Sequence, residues 1–271
     1  MARIVAIANQ KGGVGKTTTA YHLARAATLR GLRVLVIDSD PQGNLSRLLS
    51  QEALPADQVS LADVLLSRDA NRPASAEPVL LSDIVVAGLW ENLDVAPAVG
   101  DTLSYARDQL VISGAGREHK LREALEEIQG DYDLILIDCP PSLDQLTLNA
   151  LTAADGVLVI THTRLLSLDG MSQLVRTIEN VRRYNNQRLR ILGVAVNQFE
   201  KDLKAARHWL LELQEAAKAQ EWPVLASMPK RTLIANVTET GEALDEQGSI
   251  GVDLAQIYDR NLTALMEGAQ A

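Results

Sequence analysis

Short apolar runs recur along the chain at residues 3–8, 33–38, 93–97, 133–138, 156–161, 190–197 and 224–228. They are rich in Val, Ile and Leu and apolar at consecutive rather than alternate positions, the pattern of strands covered on both faces by helices. Between them the apolar spacing becomes helical. Leu121, Leu125 and Ile128 fall at i, i+4 and i+7 within residues 119–128, and Leu174, Ile178 and Val181 do the same within 165–183. Further helices are predicted after the first run, at 103–110 and 201–219, with one or two polar helices at the end. Strands separated by helices throughout predict a single doubly wound α/β domain over residues 1–271, a mostly parallel sheet with helices on both faces. Residues 51–92 break this rhythm with Pro55, Pro73 and Pro78. They read as a variable surface insertion holding a short helix at 61–66 and a strand or turn at 80–86.

The first run leads into Asn9-Gln10-Lys11-Gly12-Gly13-Val14-Gly15-Lys16-Thr17-Thr18, and a helical pattern follows at once. Strand, glycine-rich loop and helix are the context of a phosphate-binding loop. Glycines let backbone N–H groups turn around a polyanion, and the helix N-terminus adds free N–H groups and its positive dipole end. Lys16 can reach the terminal phosphates and the Thr17 hydroxyl can hold Mg²⁺. The usual loop has glycine five residues before the Gly-Lys pair. Here that position is Gln10, and a second lysine, Lys11, stands beside it.

Two later strands end in acids at the edge where α/β sheets bind ligands. One runs into Asp38-Ser39-Asp40-Pro41-Gln42-Gly43-Asn44, whose composition marks a loop; the other ends at Asp138, ahead of Cys139-Pro140-Pro141-Ser142. A carboxylate at Asp138 can bind Mg²⁺ through a water.

Composition narrows the picture. No apolar stretch approaches the roughly 20 residues of a membrane helix, and the first run is too short for a signal peptide. With one cysteine, Cys139, no internal disulfide forms, which points to the cytoplasm. A net charge of −9 excludes a generally basic nucleic-acid binder, so any DNA contact must be local. One stretch qualifies. From Arg182 to Arg207 there are seven basic residues, Arg182, Arg183, Arg188, Arg190, Lys201, Lys204 and Arg207, against Glu200 and Asp202. Lys201, Lys204 and His208 share a face if they lie on one helix.

Lys11-Gly12-Gly13-Val14-Gly15-Lys16-Thr17-Thr18 resembles the deviant Walker A loop of the ParA/MinD ATPases, in which the early lysine is the signature lysine. The segment 38–44 resembles the family's switch I, Asp138 its Walker B acid, and Cys139-Pro140-Pro141-Ser142 its switch II. The resemblance spans nearly the whole chain, which starts at the first strand and so looks like the small, Soj-like type. It implies ATP and Mg²⁺ as cofactors. Lys11, Gly12, Gly13, Val14, Gly15, Lys16, Thr17 and Thr18 would hold the phosphates, with Asn197, Pro229 and Lys230 lining the adenine pocket. Thr17 would ligate the metal, Asp138 would support it through water, and Asp38 would stand behind both. Lys16 and Asp40 would act in hydrolysis, with Asp40 orienting the attacking water, and Lys11 would cross to a partner subunit's nucleotide.

The implied function is segregation or positioning of plasmid or chromosomal DNA on the nucleoid. The implied partners are a second copy in the ATP state, non-specific duplex DNA and a ParB-like adaptor that stimulates hydrolysis, with no membrane. Lys201, Lys204 and Arg207 are the DNA candidates. One departure is Leu233-Ile234, where relatives often carry an arginine for DNA. Three alternatives stand beside this reading. Protein cargo positioned on the nucleoid uses the same machinery. A MinD-like membrane ATPase needs a basic amphipathic C-terminal helix, whereas residues 252–267 hold one arginine against three acids and predict packing on the core. A metabolic ATP-dependent synthetase needs a second substrate pocket. The nitrogenase iron protein, with two cysteines per subunit, is disfavoured by the single cysteine.

Overall fold

The computed structural model describes residues 1–68, 77–163 and 168–267. In chain order the elements are β1 (Arg3–Ala8), α1 (Lys16–Leu29), β2 (Val34–Asp38), α2 (Asn44–Leu49), α3 (Leu61–Ser67), β3 (Val86–Ala87), β4 (Leu93–Ala96) and α4 (Thr102–Ile112). There follow α5 (Lys120–Glu126), β5 (Leu134–Asp138), α6 (Gln145–Ala153), β6 (Gly156–His162), α7 (Leu168–Tyr184), β7 (Arg190–Asn197), α8 (Lys204–Ala219), α9 (Thr232–Thr240) and α10 (Gly248–Glu267). Residues 165–167 of the expected helix, and Pro73 of the expected insertion, lie outside the described residues.

The strands form one sheet in the order β3-β4-β2-β5-β1-β6-β7, parallel except for the short edge strand β3, which runs antiparallel to β4. Each central strand feeds both cores. Along β1, Ile4, Ala6 and Ala8 pack on one side and Val5 and Ile7 on the other. Helices α3 to α8 contribute to the first core, and α1, α2, α9 and α10 to the second. Burial on both faces is why these strands read as unbroken apolar runs. In register, Asp38 of β2 lies beside Asp138 of β5, which in turn lies beside Ile7 of β1. Both acids and the loop after β1 therefore share the C-terminal edge of the sheet.

Three expectations change. Part of the 51–92 segment is core: α3 buries Leu61, Ala62, Val64 and Leu65, and β3 pairs with β4. The run at 224–228 forms isolated bridges rather than a strand. Leu225 N donates to Val194 O and Met228 N to Val196 O, three residues against two, so the ladder loses register. Asn261 of α10 fills the gap, accepting from Ala226 N at 2.9 Å and donating to Ala226 O at 3.0 Å. Finally, α10 packs on α1 through buried Leu254, Tyr258, Leu262 and Leu265, while Ile257, expected on that face, is only half-buried. Among the described residues no helix is long and apolar enough to cross a membrane.

Candidate functional site

The loop between β1 and α1 is held from three sides. Asn9, buried at the end of β1, donates through its amide nitrogen to Ile160 O of β6 and accepts from Lys11 N at 2.9 Å. Asn197, at the end of β7, donates from the same nitrogen toward Val14 O at 3.1 Å, Gly15 O at 3.2 Å and Thr19 Oγ1 at 3.0 Å. Gln198 reaches Gly13 O at 3.5 Å. Gly15 caps α1 with φ +87°, and a Cβ there would stand 2.7 Å from the Asn197 amide. Only glycine meets both demands.

Lys16 opens α1 and is 6% exposed. Its Nζ donates to Lys11 O at 3.3 Å, one weak backbone partner for a buried ammonium. Burial pushes its pKa down, against the opposing pull of Asp138, Cys139 and Asp40. Thr17 Oγ1 donates to Asp138 Oδ2 at 2.7 Å. Asp138 Oδ1 is buried and finds no hydrogen-bond partner among the described residues. Burial first, and then the neighbouring Asp38, drive the Asp138 carboxyl well above its ordinary range. A buried unpaired carboxylate oxygen costs roughly 1–3 kcal/mol or more, and a divalent cation with its waters removes that cost. Among the described residues no three His, Cys, Asp or Glu side chains form a metal cage. Mg²⁺ does not need one, since it keeps waters and takes phosphate oxygens. The donor set fits: Thr17 would hold the ion directly and Asp138 through water. The bound ion supplies charge neutralisation at the phosphate oxygens.

Asp38 has a supporting role. It is fully buried and accepts from Ser46 N at 2.8 Å, Ser46 Oγ at 2.7 Å and Asp40 N at 3.2 Å. Burial raises its pKa to about 6, against the lowering effect of Ser46. It therefore positions the backbone of Asp40, whose own carboxylate accepts from Gln42 N at 3.0 Å and stays half-exposed on the loop. Lys11, also half-exposed, makes no side-chain hydrogen bond or ion pair among the described residues. Cys139 is buried, and burial pushes its thiol far up, so no thiolate nucleophile stands here.

Beyond Gly15 and Thr18 a groove of about 260 Å³ continues between Asn197, Pro229, Ile234 and Tyr258. Asn197 and Pro229, the residues proposed for the adenine pocket, both line this groove. Lys230 lines it too, with Nζ 3.4 Å from Glu200 Oε1. Asn9, Ser46, Gln198 and Tyr258 are site residues that sequence reasoning did not assign. Asn9, Ser46 and Gln198 had a signal, their places beside the glycine loop, the 38–44 segment and Asn197; Tyr258 comes from a distant segment.

Residues 2–191 match the AAA domain family. The chain is 46% identical over 201 residues to the chromosome partitioning protein ParA of Caulobacter vibrioides, covering 73% of this chain and 70% of that one. It is 41% identical over 201 residues to the sporulation initiation inhibitor protein Soj of Bacillus subtilis, covering 74% of each. This chain belongs to the ParA/Soj family of partition ATPases. A solved structure of cobyrinic acid a,c-diamide synthase from Mycobacterium smegmatis, with bound ATP analogue and magnesium, superimposes with a TM-score of 0.74 at 36% identity, covering 92% of this chain and 97% of that one. A ParA/Soj-family chain with this loop uses ATP and Mg²⁺.

The basic stretch is the main correction. Helix α8 starts at Lys204, so Lys201 lies in the preceding turn and does not share a helical face with Lys204 and His208. Strand β7 also separates the group. Arg190 begins it and Asn197 ends it, roughly 23 Å apart at 3.3 Å per residue. Arg182, Arg183, Arg188 and Arg190 belong to the far edge of the sheet, and Lys201 and Lys204 to the nucleotide edge. Lys204 and Arg207 remain exposed on α8.

Proposed function

We propose that this partition ATPase dimerises on ATP, binds duplex DNA without sequence preference in that state, and releases it when an adaptor protein stimulates hydrolysis. The observation that carries the reading is Lys11. It stands at the entrance of a loop whose phosphates are already served by Lys16, and among the described residues its side chain has no hydrogen-bond or ion-pair partner. A cation so placed suits the nucleotide of a second copy, which would make ATP the glue between subunits. In the closed site Lys16 neutralises phosphate charge, Thr17 and Asp138 hold Mg²⁺, and Asp40 orients the attacking water. Lys11→Ala is expected to bind ATP yet remain monomeric with it, where the parent dimerises. Analytical ultracentrifugation with ATP and Mg²⁺ reads this directly, and equal dimer formation in the variant removes the crossing role.

DNA contact is assigned to Lys204 and Arg207, with Lys201 nearby. One subunit presents few cations in a chain of net charge −9, so a dimer that doubles the patch should be needed at physiological salt. Contacts to phosphates predict indifference to sequence and a steep loss with salt. In an anisotropy assay with ATP-locked protein, Lys204→Ala with Arg207→Ala is expected to weaken binding about tenfold or more and flatten the salt slope. Unchanged binding moves the surface elsewhere, with Arg231 the next candidate. An adaptor that loads DNA and one that loads protein cargo would act on this same dimer.

The diamide synthase likeness supports a second reading, ATP used to activate a carboxylate. The curated ParA and Soj relatives match at higher identity, so the partition reading is preferred. Release of ADP and phosphate from ATP alone, stimulated by DNA and adaptor, separates the two; turnover that requires a carboxylate substrate overturns it.

A further inference from the structure

We propose that Arg47 is a positioning residue for hydrolysis. Its guanidinium clamps the turn that leads into α2 and, through Gln42, sets the direction of the Asp40 carboxylate. The role rests on Asp40 being the group that orients the attacking water.

Asp40 is held by its neighbours in the chain. Its N–H donates to Asp38 Oδ1 at 3.2 Å, its carbonyl accepts from Gly43 N at 2.9 Å, and its Oδ1 accepts from Gln42 N at 3.0 Å. Its other carboxylate oxygen, Oδ2, has no hydrogen-bond partner among the described residues and is the one left to face a water. The direction of Oδ2 therefore follows from the bond between Gln42 N and Oδ1, and so from where residue 42 stands. Gln42 is exposed, so burial does not fix it.

Arg47 supplies the missing hold. Its Nη1 donates to Gln42 O at 2.9 Å and its Nη2 to Asn44 Oδ1 at 2.5 Å. The planar fork spans both acceptors at once and ties residues 42 to 44 to the helix that follows. Underneath, the turn rests on Ala98. Gly43 is buried with φ +61°, and a Cβ there would stand 2.9 Å from Ala98 O and 3.7 Å from Arg47 Nη1. Ala98 N donates to Ser46 Oγ at 2.8 Å, and that hydroxyl donates to Asp38 Oδ2 at 2.7 Å. The turn thus has a floor in the backbone of residue 98 and a clasp, Arg47, on its solvent side.

Two blander roles do not account for this geometry. Arg25, Arg30, Arg33, Arg68, Arg107 and Arg117 each meet a carboxylate. Among the described residues Arg47 meets only neutral oxygens, so no ion pair draws it there. Nor does it complement the helix dipole. Helix α2 has six residues, and the guanidinium reaches back over its first turn, the end at which the dipole favours an anion. The two acceptors hold it in that place.

The test compares Arg47→Ala, Arg47→Lys, Asp40→Ala and the double variant, with single-turnover phosphate release for the rate and calorimetry for ATP affinity. Arg47→Ala is expected to lower the rate about tenfold or more while the Kd for ATP stays within about twofold. Arg47→Lys keeps the charge without the fork and is expected to recover no more than about a third of the parent rate. In the Asp40→Ala background, Arg47→Ala is expected to change the rate by less than about twofold, because the group it aims is already gone. A purely structural role would lower ATP affinity and the thermal midpoint together with the rate, and its loss would add to that of Asp40→Ala. A parent-like rate in Arg47→Ala overturns the clamp. So does full recovery in Arg47→Lys, since charge alone then suffices, and so does an equal loss with and without Asp40. The two roles fail separately. If Asp40→Ala turns over like the parent, the role of Asp40 fails and the clamp falls with it. If Asp40→Ala is slow and Arg47→Ala is not, the clamp alone fails.

Discussion

Lys16→Ala is expected to abolish ATP binding, weakening it by a factor on the order of a thousand, about 4 kcal/mol. The size follows from burial. Lys16 is 6% exposed and meets one backbone oxygen at 3.3 Å. An ammonium so placed has given up most of its water for a single weak bond, and burial lowers its pKa even with Asp138, Cys139 and Asp40 pulling the other way. Phosphate oxygens supply the partners this ammonium lacks, in a site of low polarity where each contact counts for more than at the surface. Titration calorimetry with ATP and Mg²⁺ reads the loss. Parent-like affinity in the variant means the glycine-rich loop does not hold the nucleotide, and the dimer and DNA proposals fall with it.

Asp40→Ala is expected to bind ATP like the parent and to hydrolyse it about a hundredfold to a thousandfold more slowly. The substitution removes a half-exposed carboxylate and leaves the loop intact. The Asp40 backbone stays tied by its N–H to Asp38 and by its carbonyl to Gly43 N at 2.9 Å. Binding and chemistry should therefore separate, and the variant should hold the ATP dimer longest. A phosphate-release assay beside the calorimetry tests both halves. Unchanged turnover would remove Asp40 from the chemistry. Asp38 is a poor substitute, because it is fully buried and already accepts from Ser46 and from the Asp40 backbone.

Much of this site is readable from sequence because it is local. A strand, three glycines, a lysine, a hydroxyl and a helix within residues 3–29 close a phosphate loop through their own backbone geometry, whatever surrounds them. Acids at the ends of apolar strands reach the same edge because parallel strands align their C-terminal ends, as the Asp38–Asp138 register shows. Six of the seven strands follow from the same runs; the short edge strand β3 does not, and at 224–228 a bulge and the side chain of Asn261 replace strand pairing.

The basic stretch shows where sequence reading stops. Spacing alone placed Lys201, Lys204 and His208 on one face, but the helix begins only at Lys204, and strand β7 divides Arg182, Arg183, Arg188 and Arg190 from Lys201, Lys204 and Arg207. The resemblance set Asp40 at the water and Asp38 behind the metal; what the sequence did not show is Ser46, which buries Asp38 against α2 while Asp40 stays on the loop. What the sequence by itself determined is whatever depends on neighbours in the chain: strand periodicity, the phosphate loop and the family. Only the tertiary structure decided that Asn197 pins that loop, that Ser46 buries Asp38, and that Tyr258 of α10 lines the groove beyond the loop. Those placements depend on how separate helices pack on a sheet, which no single segment records.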